Sequence, residues 1–148
     1  MTSRIFVDTN VWVYAVDDGE PEKQARARAI LEPTPDKDFV VSAQVLGEFF
    51  VTVRRRLLEA LPESSAIAMV ERMQRLSVVP IDGSLVAAAI ATSRSSQLSY
   101  WDALIIVAAE MATCDIVLSE DMGHGRQYGS VRVKNPFLPS DDLSVSDG

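Results

Sequence analysis

The sequence predicts an α/β fold, a three-layer α/β/α sandwich around a central, mostly parallel sheet of about five short strands. Three observations carry this. Short apolar runs recur along the chain, separated by longer segments with helical spacing. Those runs are apolar throughout instead of alternating with polar residues, as expected of strands covered on both faces. No internal repeat and no low-complexity linker interrupts this alternation of short strands with helices.

Taken in order, Ile5-Phe6-Val7 forms the first strand and ends at Asp8, with a helical pattern following through Val16. Asp17-Asp18-Gly19 turns the chain. Pro21 opens a second helix over Glu22 to Glu32, where a missing backbone N–H in the first turn costs nothing. Pro33-Thr34-Pro35-Asp36 breaks it. Phe39-Val40-Val41 is the second strand, and Ser42 caps a long helix running to about Leu58. After Pro62, Glu63 to Leu76 sets Ile67, Met69, Val70 and Met73 at helical spacing, and Val78-Val79 is the third strand. Ser84 to Gln97 and Ser99 to Thr113 are helices, the second apolar on nearly every side and so deeply buried. Ile116-Val117-Leu118 and Val131-Arg132-Val133 complete the sheet.

A chain of 148 residues is expected to hold one domain, residues 1–138, followed by a frayed acidic tail, 139–148. No apolar run reaches the length of a membrane span, and Met1-Thr2-Ser3-Arg4 leads straight into a strand instead of a signal-peptide core. The lone Cys114 has no internal disulfide partner and reads as a small buried hydrophobe, which suits a reducing cytoplasm. A net charge of -7 is unusual for a nucleic-acid binder. Asp141, Asp142 and Asp147 belong to the tail, however, and Arg54-Arg55-Arg56 is locally basic. Overall charge therefore decides neither for nor against a nucleic-acid partner.

The informative residues are Asp8, Glu48, Asp102 and Asp121, each placed where an apolar segment meets a helix start, a helix face or a strand end. Asp8 closes the first strand, where ligands bind in open parallel sheets, and is equally suited to cap the following helix. Asp121 follows the fourth strand at the same sheet edge, in a segment that also has turn chemistry. Asp102 sits at the third position of a helix capped by Ser99, at the foot of a stripe formed by Ile105, Ile106 and Ala109. A carboxylate there needs a counter-charge or a ligand. Glu48 shares a polar stripe with Gln44, Thr52 and Arg55, opposite the core face of its helix. As an isolated residue it also fits a solvated surface. Together the four acids are best explained if the fold gathers them round a cation. Hard oxygen ligands suit Mg²⁺, which keeps several waters and takes few protein donors.

The segments Phe6-Val7-Asp8-Thr9-Asn10, Glu48 on its long helix, Tyr100-Trp101-Asp102-Ala103-Leu104-Ile105 and Leu118-Ser119-Glu120-Asp121-Met122, in this order, closely resemble a PIN-domain nuclease of the VapC toxin type. The resemblance runs from about Ile5 to Phe137. It implies an acidic pocket holding Mg²⁺ or Mn²⁺, endonucleolytic cleavage of RNA, a homodimer, and a small antitoxin partner that blocks the pocket. The four acids carry over to Asp8, Glu48, Asp102 and Asp121, with Asn10 and Ser119 in support. Glu120, next to Asp121, competes for the last acidic place. Asp8 and Asp102 are expected as the closest ligands, with Thr52, Arg55 and Arg126 as candidate RNA contacts.

Other chemistries fit less well. His124 is the only histidine, so metal-free ribonuclease chemistry using a histidine pair is disfavoured; His124 reads as a flexible loop residue. An aspartyl-phosphate phosphatase would use Asp8 as nucleophile and a second Asp two residues on, where this chain has Asn10. A non-catalytic receiver-like pocket would require a late phosphate-partner lysine, and Lys134 is poorly placed. Trp101 is a possible stacking surface for bases, whereas Trp12, among Val11, Val13 and Val16, suits packing.

Overall fold

Strand register decides where the acidic residues meet. The computed structural model describes residues 2–139. Its sheet contains β1 (Ser3–Val7), β2 (Lys37–Ser42), β3 (Ser77–Val79), β4 (Ile116–Leu118), β5 (Gln127–Tyr128) and β6 (Val131–Lys134), in the spatial order β3-β2-β1-β4-β6-β5. Every pairing is parallel except β5 with β6. The sheet thus has six strands and not the five expected. The extra one, β5, is a two-residue antiparallel edge, too short for any hydrophobic period to mark it.

From β1 the chain winds outward through β2 and β3 on one side, then places β4 against the other side of β1. That reversal creates a crevice beyond the carboxyl ends of β1 and β4, the usual ligand position in such sheets. Val7 pairs with Leu118 in register, so one step further on Asp8 stands opposite Ser119.

Helices α1 (Thr9–Tyr14), α2 (Pro21–Leu31), α3 (Ala43–Arg56), α4 (Glu63–Met73), α5 (Gly83–Ser96) and α6 (Tyr100–Met111) make the crossovers. The first stops at Tyr14 instead of Val16, and α4 stops three residues before Leu76. Side-chain oxygens satisfy orphan N–H groups at four helix starts: Asp8 for α1, Ser42 for α3, Asp82 for α5 and Ser99 for α6. Residues Ala103 to Ala109 of α6 are all buried, as its all-round apolar composition requires.

Alternating residues of β1 feed two cores. Phe6 packs with Val40, Val45, Phe49, Leu104 and Val117, while Val7 packs with Val11, Ala27, Phe39 and Leu118 on the other side. Trp12 bridges both clusters, and its indole N–H donates to the Val7 carbonyl at 3.2 Å. Cys114 is buried, which pushes its thiol up to about 11, so it behaves as core. No helix among the described residues is long and apolar enough to cross a membrane. Of the expected acidic tail, 139–148, residues 140–148 lie outside the described residues.

Candidate active site

Asp8 performs both roles open to it. One carboxylate oxygen accepts from the Thr9 N–H at 2.8 Å and caps α1, while the other accepts from Ser119 Oγ at 2.7 Å. Ser119 is itself fully buried, and its Oγ accepts from the Asp121 N–H at 3.2 Å. Asn10 closes the circuit: its amide nitrogen donates to Asp121 Oδ2 at 3.1 Å and its oxygen accepts from the Glu120 N–H at 3.3 Å. Two sequence-distant strand ends are thereby locked together by neutral side chains, which hold two carboxylates at one crevice.

The turn after β4 also decides which neighbouring acid faces inward. Glu120 is drawn outward by Lys23, at 2.6 Å, and by the Tyr14 hydroxyl, at 2.8 Å. Lys23 sits 4.6 Å from the Tyr14 ring centroid as well. Asp121 is left to face the crevice.

Helices α3 and α6 bring the remaining acids. Asp8, Glu48, Asp102 and Asp121 all line one cavity of about 230 Å³, together with Thr9, Asn10, Val13, Gln44, Thr52, Arg56, Trp101 and Ile105. In α3, Gln44, Glu48, Thr52 and Arg56 follow one another at four-residue intervals and so share a face. Sequence reasoning placed Arg55 on this wall. The structure places Arg56 there instead, paired with buried Asp17 at 3.4 Å, because one residue along a helix turns the side chain by roughly 100°. Arg126 lies outside the cavity, its guanidinium 5.3 Å from the Tyr128 ring centroid. His124 is tied into its loop, with Nδ1 accepting from the Asn135 N–H at 3.0 Å.

The electrostatics reflect confinement of like charges. Asp8 is pushed up to about 6, chiefly by burial, against the hydrogen bonds from Ser119 and Thr9, with the charges of Glu48 and Asp121 adding to the rise. Glu48 is also raised by burial, opposed by its hydrogen bond to Gln44 and helped by the charge of Asp102. Burial raises Asp102 too, with Ser99 opposing and Asp121 contributing. The four carboxylates thus sense one another around a single cavity.

Among the described residues, no three Asp, Glu, His or Cys side chains close on one point as a ready-made cage. The acids form a ring around a hollow. An all-oxygen ring suits Mg²⁺ or Mn²⁺, which retain water and take few protein donors. Two buried oxygens in the same wall, Thr9 Oγ1 and Gln44 Oε1, have no hydrogen-bond partner, so the lining has unused capacity for a cation's water shell. A larger cavity of about 550 Å³ lies toward the amino ends of β2 and β3, walled by Trp12, Leu31, Phe39, Met69, Met73 and Leu76. Its size does not make it the active site, because none of the four acids reaches it.

Comparison with solved structures finds the same fold in toxin–antitoxin proteins. VapC20 of Mycobacterium tuberculosis, described as a Sarcin-Ricin loop cleaving toxin, is similar with a TM-score of 0.64 and 21% identity, over 79% of this chain and 89% of that one. A toxin–antitoxin complex from Klebsiella pneumoniae aligns with a TM-score of 0.65 and 16% identity, over 89% of this chain and 97% of its own. VapBC2 from Rickettsia felis, bound to a DNA fragment from its promoter, aligns with a TM-score of 0.61 and 13% identity, over 89% and 98%. Curated protein sequences yield no match. The sequence profile of the PIN domain matches residues 5–129, which span β1 through β5 and carry every acid described above. On that match, over most of its length, the chain belongs to the PIN domain family.

Proposed function

We propose that this protein is a metal-dependent endoribonuclease that hydrolyses RNA phosphodiester bonds, acting in the cytoplasm as the toxin of a type II toxin–antitoxin pair. The observation that carries the reading is the convergence of Asp8, Glu48, Asp102 and Asp121 on one cavity at the switch point of the sheet. Family membership and the toxin–antitoxin neighbours support it.

When bound, Mg²⁺ or Mn²⁺ supplies charge neutralisation at the phosphate and acidifies water. Asp8 and Asp102 would hold the ion most closely, with Asp121 and Glu48 completing the oxygen set. Ser119 and Asn10 fix the orientation of Asp8 and Asp121 by the bonds described above. Thr52 and Arg56 line the wall beyond Glu48, where the phosphate backbone would run. Arg55, one position away on the exposed side of α3, is left for phosphates further along the strand. The partners would be RNA, an antitoxin that closes the cavity, and a second copy of the chain.

Purified protein is expected to cut single-stranded RNA with added Mg²⁺, to stop on chelation, and to fail when Asp102 is changed to asparagine. Hydrolysis of a small phosphate ester with no cutting of RNA under those conditions would move the assignment to a phosphatase. Expression should slow bacterial growth, and co-expression with the product of a short adjacent reading frame should restore it. Normal growth with intact RNA cleavage would leave a PIN nuclease outside a toxin pair.

A further inference from the structure

We infer that Trp101 is the base-binding platform of the cavity, stacking one unpaired nucleobase of the substrate beside the carboxylate ring. This rests on the ribonuclease reading and deepens it. Trp101 is 63% exposed, the most exposed large apolar side chain among the described residues, and it stands in the cavity wall next to Asp102. An indole exposed in a cavity wall offers a broad apolar face, and Trp is enriched where proteins meet their partners.

Its position is held from two sides. Tyr100 meets it edge to face, with ring centroids 4.9 Å apart and planes at 74°, a contact that covers at most one indole face. The Trp101 carbonyl accepts from Gln44 Nε2 at 3.4 Å, and Gln44 also hydrogen-bonds Glu48. Gln44 therefore ties the aromatic platform to one of the acids. The Tyr100 contact restrains the indole and the Gln44 bond fixes the backbone beneath it, so less freedom is lost on binding.

Charge explains why such a platform is needed. The cavity presents four carboxylates and a single arginine, already paired with Asp17. A polyanion has little electrostatic attraction to such a surface. Stacking is indifferent to the sign of the field and tolerant of base identity, so it adds affinity to the few phosphate contacts that Thr52 and Arg56 offer. The substrate class is accordingly single-stranded RNA, whose bases are free to leave the stack.

The test uses the full chain. In an Asp8→Asn background, which binds without cutting, intrinsic tryptophan fluorescence is followed as homopolymeric single-stranded RNA is added. Quenching is expected, and it should vanish when Trp101→Phe is added, since Trp12 is half-buried between the two cores. With wild-type Asp8, Trp101→Ala should raise KM about 5- to 150-fold with a smaller change in kcat, and Trp101→Phe should restore most of it. The thermal midpoint should not move, because the indole is largely outside the core. Binding should weaken only shallowly with salt, unlike phosphate-driven binding. Unchanged KM and unchanged quenching in Trp101→Ala, with Mg²⁺-dependent cutting intact, overturns the platform and spares the ribonuclease reading. Quenching by RNA in a protein that never cuts supports the platform and sinks the ribonuclease reading. Quenching that depends on protein concentration without RNA, with a doubled mass, assigns the indole to a contact between copies and also overturns the proposal.

Discussion

At the scale of single residues, Asp8 shows how one side chain serves both structure and chemistry. It caps α1 and accepts the Ser119 hydroxyl, while burial, with the charges of Glu48 and Asp121 adding to it, pushes its carboxyl up to about 6. Asp8→Asn should therefore abolish RNA cleavage, by at least about 100-fold, and leave the thermal midpoint unchanged or higher. A variant that cuts at the wild-type rate would remove Asp8 from the ion's ligands. Ser119→Ala frees that carboxylate and deprives the Asp121 N–H of its acceptor, so a loss of about 10- to 100-fold in Mg²⁺ affinity is expected by calorimetry. The four acids were legible in the sequence through their joint placement at strand ends, a helix start and a helix face, since each alone also has an ordinary structural reading. The unpaired oxygens of Thr9 and Gln44 were not, since a missing partner is a fact about space. Nor was the rivalry between Glu120 and Asp121, which Tyr14 of α1 and Lys23 of α2 settle from about a hundred positions earlier in the chain.

At the scale of elements, α3 separates its two tasks by face. Phe49 is wholly buried and Glu48, its neighbour, opens on the cavity. Phe49→Ala should cost about 3–5 kcal/mol by denaturant melts. Glu48→Gln should scarcely change stability and should lower cleavage. If both substitutions unfold the protein equally, the division of faces is wrong. Helical periodicity makes these faces readable, but with limited angular precision, and the cavity wall carries Arg56 where the spacing predicts Arg55. Strands β1, β2 and β4 were equally plain from their apolar runs. The edge strand β5 left no trace because two residues hold no pattern, and its pairing with β6 depends on the turn that joins them.

At the scale of the whole molecule, the cavity makes stability depend on protons and ions together. Asp8 titrates near 6 when folded and near 3.8 otherwise, so the folded chain takes up a proton first as pH falls. Without divalent ions, stability should rise between about pH 7 and pH 5, by about 2–4 °C in melting temperature for each kcal/mol recovered. Asp8→Asn should flatten that rise, and saturating Mg²⁺ at pH 7 should replace it, because the ion offsets the cost of the buried Asp8 charge and of its like-charged neighbours. Melting curves that fall over this window in the wild type would contradict the repulsive ring. The pairing of β1 with β4 has a further consequence for timing. The Asp8–Ser119 bond joins positions 111 residues apart, and Asp121 lies beyond both. During synthesis, the first acid emerges long before its counterparts exist, and no partial chain ending ahead of β4 contains the hollow. A nascent chain consequently lacks the four-acid cavity until nearly all of it has left the ribosome.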